Sequence, residues 1–443
     1  MGVPYSSMHA PTAVAAAALL LALSLSPAVF SLPALQPSDA AGEEGPATIA
    51  DMIEQVDVSL VSRYLEGLVA FGPRYTGTEN CSLAAQYIHD QFRTLGLWTR
   101  FDPWRYAGFE SRNVVATLNG TGDSDALVLM TAHYDTVPGS PGADDDASGV
   151  ASVLAAAAVL SQHSFPHSIR FVAFSGEEVG TYGSFHHARQ SYERGDNIRA
   201  VINADMVGYA GTARGGRLLR VFESPRTEWL SALLVNVSTL YWNQIELGVE
   251  RVPNYIGADH QAFLDYGYDA LFCAHYDGYP WGHSRNDTLD RINYSYQVKA
   301  TRLLLSAVAT LAGQLVPLQV LLTAPREGCL YLGNWSLLPL PLGWFWFLRL
   351  RGITVALGSP VARAEVRSTA AIDYVIFCLD DIFITWDRSP PYEWKIQGKH
   401  GPPLGRHVLR VYAYDVEGRV ASDEMDLIIY TLDYQYAPWN YHG

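Results

Sequence analysis

Apolar residues recur along this chain in two different patterns, and the pattern changes at about residue 316. Before that point, residues at helical spacing such as Leu60, Tyr64 and Leu68 alternate with short apolar runs. The runs predict strands at Asn113–Leu118, Ala126–Ala132, Ser168–Phe174, Ala200–Asp205, Leu218–Phe222 and Ala270–Ala274. A predicted helix over Val298–Leu315 closes the region. This alternation favours an α/β domain with a mostly parallel sheet flanked by helices on both faces.

Beyond residue 316 helical spacing disappears, and turns with Gly, Pro and Asp separate short apolar runs. These runs predict strands at Cys329–Leu332, Trp344–Leu350, Ile353–Leu357, Ile372–Leu379, Ile382–Trp386, Gly405–Tyr414 and Glu424–Thr431. The run Leu337–Leu350 is too short for a membrane helix and contains two prolines, so we interpret it as a turn plus a strand. Pro317–Gly328 is interpreted as a junction. The pattern is typical of an all-β sandwich, and its closing strands resemble those of immunoglobulin-like modules.

The first forty residues have the composition of a targeting segment. Ala13–Leu25 contains only Ala, Val and Leu apart from one Ser, and no acidic or basic side chain other than His9 precedes Asp39. A cleaved signal peptide and an N-terminal membrane anchor both fit, and both predict an extracellular or cell-surface protein. The predicted layout is targeting segment 1–36, linker 37–48, α/β domain 49–316, β-sandwich 317–435 and tail 436–443. A membrane contact is expected only through the possible anchor.

Charge and cysteine content narrow the possible partners. The formal net charge is -15, and the acidic residues are scattered, which argues against nucleic acid as a partner. The four cysteines form no CxxC pair, so no zinc finger is indicated, although one or two disulfides remain possible.

Polar residues follow most of the predicted strands of the first domain. They are His133 and Asp135, the loop Gly142-Ala-Asp-Asp-Asp-Ala-Ser-Gly149, Ser175-Gly-Glu-Glu178, Asn203-Ala-Asp205, Gly257-Ala-Asp-His260 and Trp281-Gly-His-Ser-Arg-Asn-Asp-Thr288. Ligands of such sheets bind at the carboxyl ends of the strands. Three adjacent carboxylates repel one another unless a positive charge lies among them. An acidic triplet alone is usually a solvated turn, but this convergence of groups predicts a shared metal site.

The order H-x-D, G-A-D-D-D-A-S-G, G-E-E, A-D, D-H and H-x-x-x-D-T, over about residues 50 to 315, resembles the co-catalytic di-zinc aminopeptidases. Glutamate carboxypeptidase and glutaminyl cyclase are relatives of that family. The resemblance implies that Asp144 bridges two Zn²⁺ ions. It implies further that His133 and Asp205 complete the coordination of one ion, and that Glu178 and His283 complete the coordination of the other.

The resemblance also implies roles for residues that bind no metal. Glu177 would be the general base, and Asp135 would hold the imidazole of His133. Tyr255 would lie near the substrate carbonyl, and Asp259 would lie next to the metal ligands without binding a metal itself. A cis peptide is implied just after the bridging aspartate, here Asp144-Asp145.

Several other polar residues are expected to play no direct part. His275 repeats the Ala-His-Tyr-Asp string of His133, but no acidic loop follows it, so we interpret it as pocket-lining or structural. We expect His260 to orient its neighbours, and Asp145 and Asp146 to shape the loop. The remaining histidines in helix and turn patterns are expected at the surface: His163, His167, His186 and His187.

These observations predict an exported di-zinc exopeptidase, most simply an aminopeptidase that removes N-terminal residues from peptides or proteins. A carboxypeptidase or a glutaminyl cyclase is the first alternative. A non-catalytic surface binding protein is a remote one, because it would have no reason to keep Glu177 beside five ligands. Motifs of other hydrolases and of nucleotide binding (H-E-x-x-H, G-x-S-x-G, a P-loop) are absent from the sequence.

Overall fold

A computed structural model describes residues 48–122, 125–313, 318–340, 354–368, 370–380, 382–396 and 404–430. The predicted targeting segment, the predicted strand Trp344–Leu350 and the predicted tail lie outside these ranges. Within them, no helix combines the length and the apolar character needed to cross a membrane.

The first domain alternates helices and strands, as the apolar pattern predicts. Its helices are α1 (Ile49–Glu54), α2 (Val58–Val69), α3 (Glu79–Thr94), α4 (Ala147–Leu160), α5 (Tyr182–Arg194), α6 (Glu228–Leu240), α7 (Trp242–Ile245), α8 (His260–Asp265) and α9 (Tyr294–Gly313). Its strands are β1 (Trp98–Tyr106), β2 (Phe109–Leu118), β3 (Leu127–His133), β4 (Ser168–Phe174), β5 (Ile198–Ala204), β6 (Leu218–Glu223), β7 (Gly248–Pro253) and β8 (Ala270–His275).

The eight strands form one mixed sheet in the order β1-β2-β4-β3-β5-β8-β6-β7. The four central strands β4, β3, β5 and β8 are parallel to one another. Antiparallel pairing with β2 on one side and β6 on the other limits the parallel part. Parallel neighbours end at the same edge of the sheet, so the polar residues that follow β3, β4 and β5 are brought together there.

Helices cover both faces of the sheet. Val128, Met130 and Ala132 of β3 pack into a core shared with α4 and α9, and the alternate residues Leu127 and Leu129 pack on the opposite face. Every residue of α4 is buried, because α4 lies between the sheet and the helices α2 and α9. The predicted α/β fold class is therefore confirmed.

The two strands that the apolar pattern misses are those with the least burial. In β1 only Asp102 and Trp104 are buried, and in β7 no residue is. Edge strands of this kind do not show the apolar run that marks a central strand.

The described residues of the second domain form ten strands. They are β9 (Leu318–Ala324), β10 (Cys329–Leu332), β11 (Trp335–Pro339), β12 (Thr354–Leu357), β13 (Val361–Ser368), β14 (Ile372–Leu379), β15 (Ile382–Asp387), β16 (Tyr392–Lys395), β17 (Gly405–Asp415) and β18 (Val420–Tyr430). They form a seven-stranded sheet, β11-β10-β12-β18-β17-β14-β15, and a three-stranded sheet, β16-β13-β9. Inward residues of both sheets, such as Val411, Leu427 and Trp394, share one core. This is the predicted β-sandwich.

Part of the predicted junction is a strand of this sandwich. Leu318–Ala324 pairs with Val361–Ser368 along the three-stranded sheet, and Leu318 and Val320 are buried in the sandwich core. Its alternate apolar residues were hidden by the prolines that flank the segment at 317 and 325.

The two domains meet at a buried arginine. The Arg226 guanidinium of the first domain lies 2.7 Å from Asp269 Oδ1. It also lies 3.0 Å from Glu327 Oε2 and 3.2 Å from Asp423 Oδ1 of the second domain. Glu327 follows β9, and Asp423 lies in β18. Nearby, the Arg326 guanidinium stacks over the ring of Tyr192 from α5.

All four cysteines lie within the described ranges, and all four are buried. No disulfide joins them, which resolves the pairing that the sequence left open.

Candidate metal centre

Acidic and imidazole side chains converge where the parallel strands end. His133 is the last residue of β3, Glu177 and Glu178 follow β4, and Asp205 follows β5. The acidic loop 142–149 leads from β3 into α4. The sheet topology thus gathers residues that are far apart in sequence, as the strand-end pattern predicts.

One carboxylate lies between two groups of ligands. Asp145 Oδ1 is 3.3 Å from His133 Nε2, which is also 3.6 Å from Asp205 Oδ1. His133, Asp145 and Asp205 are all buried, and one donor atom from each lies within 4.8 Å of the others. We call this group the inner triad.

The second oxygen of Asp145 faces the other group. Asp145 Oδ2 is 3.1 Å from His283 Nε2, which is also 3.2 Å from Glu178 Oε2. Donor atoms of Asp145, Glu178 and His283 again lie within 4.8 Å of one another. We call this group the outer triad, because the side chain of His283 is 65% exposed.

The structure corrects the position of the shared carboxylate by one residue. Asp144, predicted to bridge, points elsewhere: its Oδ1 accepts the Gly208 N–H at 2.8 Å, and its Oδ2 lies 3.0 Å from His275 Nε2. The residue between the triads is Asp145, which we had assigned to loop shaping. The sequence shows three consecutive carboxylates but not the local backbone direction that decides which one faces the ligands.

The cis peptide shifts with it. The structure has the cis bond at Asp145-Asp146, directly after the shared carboxylate, and not at Asp144-Asp145.

Asp146 has the loop-shaping position predicted for it. Its carboxylate caps α4 by accepting the Gly149 N–H at 2.8 Å, and it also accepts the N–H groups of His133 and Met206. A Cβ at position 149 would lie 2.1 Å from the Ala204 carbonyl oxygen, so only glycine allows this approach of α4 to the end of β5.

A buried cation supports the acidic loop from beneath. The Arg74 guanidinium donates to the carbonyl oxygens of Tyr134, Pro141 and Gly142. Burial lowers the pKa of Arg74 to about 10, against the opposing influence of nearby carboxylates such as Asp287. This arginine lies in a Gly-Pro-Arg turn that carried no recognisable signal in the sequence.

Asp135 organises the loop after β4 more than it holds the His133 ring. Its two carboxylate oxygens accept the N–H groups of Glu177 at 3.2 Å and Glu178 at 3.3 Å, and Thr76 donates a third hydrogen bond. His133 Nδ1 is 3.1 Å from the Asp135 carbonyl oxygen but 3.7 Å from its carboxylate. A carbonyl can only accept, so Nδ1 carries the proton, and the lone pair of Nε2 is free to bind an ion at the inner triad.

The centre contains more carboxylates than positively charged groups, and this affects their pKa values. Burial raises the pKa of Glu177 well above its ordinary value, and it raises the pKa of Glu178 to about 7. Burial likewise favours a higher pKa for Asp145, but the neighbouring imidazoles of His133 and His283 outweigh it and lower that pKa. The two neighbouring glutamates thus prefer a proton, or another positive charge, close by.

The other predicted site residues have different surroundings from the triads. Asp259 is fully buried, and burial raises its pKa to about 7. Tyr255 is 52% exposed, and its ring packs against Phe222 and Phe272. His260 begins α8, as predicted, and its Nε2 is 2.9 Å from the Asn254 side-chain oxygen.

His275 lies outside both triads, in agreement with its interpretation as pocket-lining or structural. Its ring contacts Tyr209 and Tyr279, which form an aromatic cluster with Trp281. The expectation that the remaining histidines are superficial is wrong for His167 and His187, which are buried. His187 escaped notice because its partner, Asp102 at 2.8 Å, comes from β1, which the pattern missed.

The donor set fits zinc. Two imidazoles and three carboxylates supply the nitrogen and oxygen ligands that Zn²⁺ binds in proteins. Within the part of the chain that the structure describes, Glu178 Oε1 is buried and accepts no hydrogen bond. A buried carboxylate oxygen with no donor is costly unless a cation balances it.

Comparison with known proteins identifies the domain that holds this centre. The family model described as Peptidase family M28 matches residues 113–308, a span that includes both triads. Together with the zinc metalloprotease and aminopeptidase relatives described below, this match makes the protein a metallopeptidase, a hydrolase of peptides.

Curated proteins include relatives of this chain. A probable zinc metalloprotease of Pyricularia oryzae is 26% identical over 349 residues, 62% of this chain and 69% of the relative. Leucine aminopeptidase 1 of Sclerotinia sclerotiorum is 24% identical over 294 residues, 59% of this chain and 73% of the relative.

Solved structures have a similar fold. The LapA aminopeptidase of Legionella pneumophila has a TM-score of 0.55 at 22% identity, over 60% of this chain and 75% of LapA. Glutaminyl cyclase of Fimbriiglobus ruber has a TM-score of 0.51 at 20% identity, over 57% of this chain and 95% of the cyclase. These similarities concern the fold and do not separate the two activities.

Proposed function

We propose that this protein is a di-zinc aminopeptidase that removes residues from the N-termini of peptides or proteins. The observation that carries the proposal is the position of Asp145, whose two oxygens face His133 and His283 on opposite sides. A single carboxylate shared by two triads is the arrangement that two adjacent ions require.

The chain would hold one ion with the inner triad and the other with the outer triad. Two bound zinc ions supply a water of lowered pKa and polarise the scissile carbonyl. Asp146 and Asp135 keep the loops of Asp145 and Glu178 in place through backbone N–H groups.

Glu177 is the proposed general base. It precedes the ligand Glu178, it is half-buried, and desolvation raises its pKa. A carboxylate in this position can accept a proton from the attacking water and deliver it to the leaving amine. Gly176 directs this turn, since it has a φ of +82°, and a Cβ there would lie 2.5 Å from the Trp104 ring.

The sign of the charge favours an N-terminal substrate over a C-terminal one. Glu177, Glu178 and six buried aspartates outnumber the four positive charges of two Zn²⁺ ions, and the six aspartates are Asp135, Asp144, Asp145, Asp146, Asp205 and Asp259. A substrate α-ammonium relieves this surplus, whereas a C-terminal carboxylate adds to it. The cation Arg74 beneath the loop donates its N–H groups to four carbonyl oxygens, those of Gly72, Tyr134, Pro141 and Gly142.

Because the fold is also similar to that of a glutaminyl cyclase, cyclisation of N-terminal glutamine is the alternative function. Cyclisation expels ammonia without consuming water, so it has no step that requires a water shared by two ions. The two complete triads therefore favour hydrolysis.

A panel of substrates tests the proposal. Aminoacyl anilides, their N-acetylated forms, peptides with blocked C-termini and an N-terminal glutamine peptide are compared with and without a chelator. We expect hydrolysis of free N-termini only, tolerance of a blocked C-terminus, loss with chelator and recovery with zinc. Cleavage of N-acetylated peptides from the C-terminus, or pyroglutamate as the product, would reject the aminopeptidase.

Export is a second part of the proposal, supported by the apolar segment Ala13–Leu25 at the start of the sequence. Expression of the full chain followed by fractionation of cells and medium tests it. A protein found only in the cytosol would contradict it.

A further inference from the structure

Asp287 joins two of the three loops that carry the outer triad, those of Asp145 and His283. Its buried carboxylate accepts the Asp144 N–H at Oδ1, 2.8 Å, and the Asp145 N–H at Oδ2, 3.1 Å. The Tyr279 hydroxyl donates to the same carboxylate at 2.6 Å. Asp287 is thus hydrogen-bonded to the backbone of Asp145, the ligand shared by the two triads. Asp287 itself belongs to the loop of His283, which precedes it by four residues.

The loop of His283 needs such an attachment. The side chain of His283 is 65% exposed, whereas that of His133 in the inner triad is 1% exposed. His283 also has a φ of +54°, a conformation that costs energy for a residue other than glycine. Neither packing nor backbone preference therefore fixes its imidazole, and its distance to Asp145 depends on how its loop is held.

Hydrogen bonds lead from Asp287 back toward His283. The Asp287 N–H donates to the Ser284 carbonyl at 3.2 Å, and the Ser284 hydroxyl donates to the Trp281 carbonyl at 2.6 Å. The Asp287 carbonyl in turn accepts the Ala143 N–H of the acidic loop at 3.2 Å. Asp287 therefore contacts the acidic loop through its carboxylate and its carbonyl, and the turn after His283 through its N–H.

We propose that Asp287, supported by Tyr279, is a positioning residue that keeps His283 in register with Asp145 and so sets the metal affinity of the outer triad. This inference rests on the proposed di-zinc function. His133 and Asp205 of the inner triad come from the ends of β3 and β5, and Asp146 ties the acidic loop to both ends through the N–H groups of His133 and Met206. The affinity of the inner triad therefore depends less on Asp287 than that of the outer triad. Loss of an outer residue that orients ligands typically costs about 10–100-fold in metal affinity.

The same loop offers a matched control. Asp277 also accepts two backbone N–H groups, those of Gly211 and Thr212, both at 2.8 Å. It contacts the 211–215 turn and not the acidic loop. D277N therefore removes a similar carboxylate cradle without touching the attachment between Asp145 and His283.

Zinc titration of the metal-free, full-length protein by calorimetry tests the inference, with D287N, Y279F, D277N and H283A as variants. D277N should bind two ions, each with the same affinity as in the wild type. D287N should bind one ion with wild-type affinity and the other, at the outer triad, about 10–100-fold more weakly. Y279F should weaken binding at the outer triad by a smaller factor. In H283A the remaining event should not change when D287N is added.

The outcomes separate this inference from the proposed function. A wild type that binds fewer than two ions contradicts the di-zinc centre itself. Two ions in the wild type with unchanged affinities in D287N, or with both affinities weakened equally, overturn the role of Asp287 alone. If D287N does not fold, Y279F decides: selective weakening of one event supports the role, and wild-type affinities at both overturn it.

Discussion

The carboxylate of Asp135 accepts the backbone N–H of Glu177 at 3.2 Å, and this contact sets the direction of the proposed base. The adjacent N–H of Glu178 donates to the other oxygen of the same carboxylate, at 3.3 Å. One side chain thus orients two neighbouring glutamates with different tasks.

Asp135→Asn should impair both tasks. The amide retains one acceptor oxygen but presents an NH₂ group to the second backbone N–H. We expect turnover to fall by about 10–100-fold, with a weaker outer ion, because both glutamates shift. Steady-state kinetics and metal analysis on the variant check this, with the exposed Asp290→Asn as a control. Turnover at the wild-type level would contradict the orienting role.

Asp145 and Asp144 should respond differently to the same substitution. Asp145→Asn should weaken both ions, since each oxygen of Asp145 faces one triad. Asp144→Asn should keep both ions and lose at most about tenfold in turnover, because Asp144 contacts Gly208 and His275 instead. Metal content after dialysis distinguishes them. The reverse result would restore the bridge to Asp144.

Without bound metal, stability should decrease as the pH rises toward neutrality. Burial raises the pKa values of Glu178 and Asp259 to about 7 in the folded protein. A carboxyl with a raised folded pKa contributes stability below its ordinary pKa, and that contribution is lost as the pH rises through about 7. Zinc should restore it by supplying positive charge.

Thermal unfolding of chelated protein at pH 5 and pH 8, with and without zinc, measures this effect. We expect a lower Tm at pH 8 than at pH 5 without metal, and a smaller difference with zinc. Glu178→Gln should flatten the pH dependence. A chelated protein that is more stable at pH 8 would contradict the assigned carboxylate surplus.

The domain contact should be sensitive to Arg226. Arg226→Met leaves Asp269, Glu327 and Asp423 buried without their shared cation, and breaking a buried ion pair typically costs about 3–5 kcal/mol. Arg251→Met, which removes the more exposed pair with Glu223, should cost less than about 1 kcal/mol. Urea unfolding of both variants gives the comparison. Equal costs would mean that the buried cluster does not stabilise the domain contact.

The sequence predicted what depends on periodicity and on strand ends. The α/β order, the sandwich and the convergence of His133, Glu178, Asp205 and His283 follow from apolar spacing and from where parallel strands end. The choice between Asp144 and Asp145 did not, because it depends on backbone hydrogen bonds to Asp287, 142 residues after Asp145. Asp287 itself was visible in the H-x-x-x-D-T spacing, but spacing alone gave it no role.

The central claim is that Glu177 moves protons while its neighbour Glu178 holds an ion. Glu177→Gln keeps the size of the side chain and removes the base, and Glu178→Gln removes a ligand of the outer triad. Kinetics and metal content measured together on the two variants test this most directly. Glu177→Gln should keep both ions and lose about 10²–10⁴-fold in turnover. Glu178→Gln should lose the outer ion and recover part of its activity in excess zinc. A Glu177→Gln variant that loses its metal, or that turns over at the wild-type rate, would contradict the account.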